Sequence, residues 1–164
     1  MSVHNSVLFD TASLKALREV RVGLVHTEWN AFIVDEMVKG CKRVLERMGV
    51  SQVDTFLVPG SVEIPFACKR YYESTRMEDR NPDVIIAFGC VIRGDTPHFD
   101  YVCQAVTQGI TQLNVSLPLP VIFGVLTVDN EDQAKERIGG THGHKGEEAA
   151  LTALKMVALN RSLS

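Results

Sequence analysis

Two hydrophobic rhythms alternate along this chain. Short apolar runs at Arg21–Val25, Val53–Val58, Val84–Phe88 and Val121–Thr127 read as strands, the third of them apolar throughout and so buried on both faces. Between them, apolar residues three and four apart mark helices with one buried face. Val34, Met37, Val38, Cys41, Leu45 and Met48 form such a stripe in a helix predicted over Ala31–Met48, with Asn30 as its cap and Gly49 as its stop. A second helix is predicted over Ile64–Ser74, after the Pro59-Gly60 turn and with Pro65 in its first turn. A third starts at Pro97 and carries Phe99, Val102, Val106, Ile110 and Leu113 on one face. Asn130-Glu131-Asp132-Gln133 has the form of a capping box opening a short helix to Ile138. Gly139–Gly146 reads as a glycine-rich loop, and Glu147–Asn160 as the last helix.

Strands alternating with helices predict an α/β fold, a four-stranded parallel sheet covered on both faces. Crossovers in such sheets are right-handed, so the loops that follow the strands gather at one edge, where ligands bind. Those loops are Thr27–Asn30, Pro59–Glu63, Cys90–His98 and Thr127–Asn130. There is no internal repeat or linker. Residues 1–20 read as an N-terminal arm and residues 21–164 as the one domain.

Bulk properties narrow the function. A length of 164 residues with 45% hydrophobic residues suits a single domain with a real core. A net charge of −3 with no basic block removes the basis for a dedicated nucleic-acid binder. No apolar stretch approaches the ~18 residues that span a bilayer, and residues 1–10 lack a secretory pattern. Cys41, Cys68, Cys90 and Cys103 show no paired spacing, which argues against zinc and fits reduced thiols in a cytoplasmic protein. His142-Gly143-His144 has no carboxylate or thiol support for a metal and reads as exposed loop. No G-x-G-x-x-G or Walker sequence follows any strand, which excludes dinucleotide and nucleoside triphosphate loops.

The chemistry concentrates after the third strand. Thr96 is a good N-cap and Pro97 suits the first helical position, so the helix start would turn free amides towards the sheet edge. Such a start attracts phosphate. His98 falls in the first turn, where the helix dipole favours a neutral ring able to move a proton. Trp29, the only tryptophan, follows the first strand, where an indole could stack on a planar heterocycle or simply fill the core.

The run Gly89-Cys90-Val91-Ile92-Arg93-Gly94-Asp95-Thr96-Pro97-His98-Phe99-Asp100-Tyr101-Val102 resembles the signature of the 6,7-dimethyl-8-ribityllumazine synthase family of riboflavin biosynthesis. Four further blocks resemble it in the same order: Glu28-Trp29-Asn30, Val58–Pro65, Pro120–Thr127, and Glu131 through Lys145-Gly146. The resemblance implies a flavodoxin-like three-layer α/β/α fold and a cofactor-free condensation. Its substrates would be 5-amino-6-ribitylaminouracil and 3,4-dihydroxy-2-butanone 4-phosphate; its products, the lumazine, phosphate and water.

Residue by residue, the resemblance makes Trp29 the aromatic that stacks on the pyrimidine. Ser61, Val62 and Glu63 would hold the pyrimidine and ribityl chain, and Cys90, Val91 and Ile92 would read the pyrimidine edge through the backbone. Asp95 and Thr96 match the phosphate loop, His98 the proton-transfer residue and Arg137 the phosphate-binding guanidinium. Phe123 and Lys145 match residues supplied by an adjacent subunit, and Glu148 falls near an acidic position beside the histidine. The sequence departs from the pattern at Cys90 (often Thr), Asp95 (often small), Val62 (often aromatic) and His144 (often Asn). Asp95 puts an acid near the phosphate unless it points away or pairs with Arg93.

The resemblance further implies homo-oligomers, either pentamers or 60-subunit shells, with riboflavin synthase as a partner; the short Ile138–Lys145 stretch favours the shell. A catalytically inactive flavin- or lumazine-binding paralogue is the alternative, and it would have lost His98, Arg137 or Lys145. All three are present.

Overall fold

A computed structural model describes residues 11, 14, 17, 19–78 and 80–164. The arm expected over residues 1–20 lies mostly outside them. Four parallel strands, β1 (Arg21–Thr27), β2 (Gln52–Val58), β3 (Val84–Ile92) and β4 (Val121–Val128), form a sheet in the order β2-β1-β3-β4. The helices are α1 (Ala31–Arg47), α2 (Ile64–Arg76), α3 (His98–Ser116), the short α4 (Glu131–Lys135) and α5 (Lys145–Ser162).

Alternation along the central strands divides the core in two. Val22 and Leu24 of β1, with Val84, Ile86 and Phe88 of β3, pack with α1 and α5 on one face. Val25, Ile85 and Ala87 pack with α2 and α3 on the other. The result is the three-layer α/β/α architecture, with the mostly buried β1 and β3 at its centre. Among the described residues no helix is long and apolar enough to cross a membrane.

Helix ends follow local chemistry. Gly49 takes φ 80°, and the amides of Gly49 and Val50 return to the carbonyls of Glu46 and Leu45 at 2.9 Å each, a Schellman stop for α1. At α4, the Asn130 side chain accepts from the Gln133 amide at 2.9 Å. Gln133 in turn accepts from the Asp129 amide at 2.9 Å, one residue before the position a strict capping box would use.

Three expectations change. Strand β2 is largely exposed, including Phe56 and Leu57, because it lies at an edge that the helices barely cover, whereas β4 at the opposite edge is mostly buried. Strand β3 continues to Ile92, because β4 keeps pairing with it to Val128 after β1 has ended. The expected loop over 139–146 holds a two-stranded hairpin, β5 (Ile138–Gly140) and β6 (Gly143–His144), and α4 ends at Lys135 rather than Ile138.

Candidate active site

The pairing of β1 with β3 stops at His26 and Phe88, yet β3 runs four residues further. Above this step lies a cavity of about 500 Å³. Trp29 and Asn30 close it on one side, Gly60 to Glu63 on another, and Cys90, Val91 and Ile92 form its strand wall. His98 and Val102 of α3 complete it. Eight residues expected from the sequence thus meet around one space: Trp29, Ser61, Val62, Glu63, Cys90, Val91, Ile92 and His98.

The walls are held by backbone bonds between loops. The amides of Glu28 and Trp29 donate to the carbonyls of Val58 and Pro59 at 2.9 and 3.1 Å, and the Thr27 hydroxyl donates to the Trp29 carbonyl at 3.1 Å. This scaffold leaves the indole 71% exposed, so Trp29 is not a core residue. Ser61 is buried, and a β-carbon on Gly89 would come within 2.6 Å of its hydroxyl. Glycine at 89 is what lets the Ser61 turn lie flat on β3.

Asn30 was legible in the sequence only as a cap. It adopts φ 57° and makes no capping bond; its side-chain amide instead donates to the Cys90 carbonyl at 2.8 Å. It pins the β1–α1 loop to the extended end of β3. Asparagine tolerates this left-handed backbone, which is the signal its position offered. Burial pushes the Cys90 thiol up to about 12, so at neutral pH it is a protonated, apolar wall and not a nucleophile.

At the α3 start, the cap position falls on Pro97, one residue later than expected, and no side chain caps the helix. Thr96 does not take that role. Asp95 and Thr96 lie on the exposed stretch joining Ile92 to His98. Arg93 does not pair with Asp95. Its guanidinium donates to Asp129 at 2.9 Å and Asp100 at 3.3 Å and lies 4.0 Å from the centre of the Phe99 ring.

The remaining expected residues stand elsewhere. Arg137 and Lys145 line a second cavity of about 610 Å³ beside β4, with Thr127, Asn130 and Glu136. The Arg137 Nε is buried there without a hydrogen-bond partner. Phe123, half-buried on the outermost strand β4, borders two further hollows, one shared with Lys145 and Glu148. In one copy of the chain, therefore, neither Arg137, Lys145 nor Phe123 lines the His98 cavity. His144, expected as an exposed loop residue, is half-buried, and among the described residues no three His, Cys, Asp or Glu could hold a metal.

Fold and cavity together define an α/β protein with a cavity of small-molecule size at the carboxyl edge of a parallel sheet. Comparison with known proteins is more specific. The family model described as 6,7-dimethyl-8-ribityllumazine synthase matches residues 19–161. A protein of that name from Porphyromonas gingivalis is 48% identical over 160 residues, covering 96% of each chain. Its namesakes from Parabacteroides distasonis and Bacteroides fragilis are 46% and 43% identical, covering 91% and 88% of this chain and 91% and 99% of their own. The chain belongs to the 6,7-dimethyl-8-ribityllumazine synthase family.

Proposed function

We propose that the protein is a 6,7-dimethyl-8-ribityllumazine synthase, a transferase of riboflavin biosynthesis. It condenses 5-amino-6-ribitylaminouracil with 3,4-dihydroxy-2-butanone 4-phosphate, releasing phosphate and water. The observation that carries the site assignment is the single cavity shared by Trp29, the Ser61–Glu63 turn, the end of β3 and His98.

The uracil stacks on Trp29 and meets the backbone of Cys90–Ile92, while the ribityl chain runs along Ser61, Val62 and Glu63. The phosphate lies at the uncapped start of α3, with Asp95 and Thr96 on its loop and Arg137 as counter-charge. A buried guanidinium N–H with no partner supports an anion as the missing acceptor. The uracil's amine attacks the ketone and water leaves, giving an imine. Proton removal and phosphate elimination yield an enol, which tautomerises to a ketone; the ribitylamino nitrogen adds to that carbonyl, and a second water leaves as the ring closes. His98 carries protons between these steps. Most of the acceleration comes from holding two reactants together, with acid–base help secondary.

Arg137, Lys145 and Phe123 line other surfaces of the same chain, which supports completion of each site by a neighbouring copy. The working form is then a homo-oligomer, a pentamer or a shell of twelve pentamers, in the cytoplasm and alongside riboflavin synthase. Mixing the purified protein with both substrates and following lumazine absorbance and phosphate release tests the activity. Tight flavin binding without turnover would overturn it. Sedimentation separates monomer, pentamer and shell, and a monomer with full activity would refute the shared site.

A further inference from the structure

The β5–β6 hairpin carries both cations of the second cavity. Arg137 immediately precedes β5, Lys145 immediately follows β6, and the Lys145 amide donates to the Arg137 carbonyl at 2.7 Å. What seats this hairpin on the domain is His144. Its ring lies over Gly40 of α1, where a β-carbon would come within 2.1 Å of the imidazole Cε1 and 2.6 Å of Nδ1. Two residues on, Gly146 packs so tightly that a β-carbon would stand 1.9 Å from the Met37 carbonyl oxygen. Helix α1 thus offers a notch that only glycine leaves open, and the imidazole fills it.

The Nδ1 of His144 is buried and has no hydrogen-bond partner. The charged groups facing the ring are Glu36 and Arg43 from α1 and Glu147 from α5, and Arg43 is itself paired with Glu147 at 3.3 Å. Burial holds the imidazole below the ordinary histidine value of 6.5, against the opposing pull of Glu147. The ring is therefore neutral at pH 7. The folded protein takes up this proton less readily than the unfolded chain, so the seat is intact above about 6.5 and is lost as pH falls through the lowered value.

We propose that His144 is a positioning residue: its neutral ring, keyed into the Gly40 notch of α1, fixes the hairpin so that Arg137 and Lys145 face the phosphate-bearing substrate together, and protonation loosens that grip. This rests on the assignment of Arg137 and Lys145 to the phosphate end. Steady-state kinetics with both substrates across about pH 5 to 8 test it, with the substrate's own phosphate titration common to every variant. His144→Ala and Gly40→Ala should each raise the KM for the ketone phosphate on the order of tenfold or more, leaving the KM for the pyrimidine unchanged. His144→Asn, an uncharged hydrogen-bonding substitute, should restore that KM at pH 7 and flatten its rise towards acid. In Gly40→Ala/His144→Ala the new methyl refills the notch, so the melting temperature should recover while the KM does not.

A His144→Ala variant with a lowered melting temperature and an unchanged KM would reduce His144 to packing and overturn the proposal. So would an acid-side rise in KM that persists in His144→Asn. Lys145→Ala separates the two layers. If it leaves the KM for the ketone phosphate unaltered, the phosphate assignment fails and the proposal with it; if it raises that KM while His144→Ala does not, the proposal alone fails.

Discussion

The two cavities differ in what they can hold. The one above β3 is walled by an indole, a 3₁₀ turn and extended backbone, with His98 as the imidazole among its described lining residues. The one beside β4 is lined by Arg137 and Lys145 together with Asp132, Glu136, polar side chains and apolar residues of β4. The first suits a flat ring read by stacking and by amides; the second contributes two cations. Neither half alone matches a reaction between a heterocycle and a ketone phosphate, and this difference is what the proposed completion of each site by a neighbouring copy would resolve. Arg93 sits at the seam, joining the β3–α3 loop to Asp129 of the β4–α4 loop.

The sharpest way to break this comparison is to disable each half in a separate chain. Trp29→Ala/His98→Ala and Arg137→Ala should each be nearly inactive, whereas refolding the two together should recover activity well above the mean of the parents. No recovery in mixed oligomers would mean that both halves serve one chain. Arg137→Ala on its own should lower kcat/KM on the order of a hundredfold, the effect of removing one charged donor from a developing phosphate, with the loss seen for the ketone phosphate. His98→Ala should slow kcat by up to about a hundredfold, the low end for a positioned acid–base group. Abolished turnover in a folded variant would make proton transfer, not approximation, the main source of rate. Trp29→Ala should raise the KM for the pyrimidine about fivefold with little change in kcat, corresponding to roughly 1 kcal/mol of stacking. Smallest of all, Asp95→Ser should lower the KM for the ketone phosphate about two- to threefold, because it removes one exposed like charge from the phosphate loop. A higher KM would show that Asp95 binds rather than repels.

The order of strands and helices was legible because burial writes its period into the residues. The Val84–Phe88 run could belong only to a strand covered on both faces, and the α1 stripe with Gly49 behind it to one amphipathic helix. Thr96-Pro97-His98 likewise announced a helix start one residue from where it lies. Local chemistry was enough for these, since caps, breakers and periodicity act within a few residues of themselves.

Other features depend on partners distant in the chain. Whether β2 is central or outermost is decided by which strands pair with it, and its apolar composition reads the same either way. Cys90 to Ile92 are strand because β4 continues beside them, and Asn30 grips Cys90 because the β1–α1 loop meets the end of β3, sixty residues on, at the sheet edge. His144 lies in a notch of a helix a hundred residues earlier. The division of the expected site into two cavities is of the same kind. Side chains adjacent in a motif can face different surfaces, and the direction each one takes is set by the packing of the whole chain.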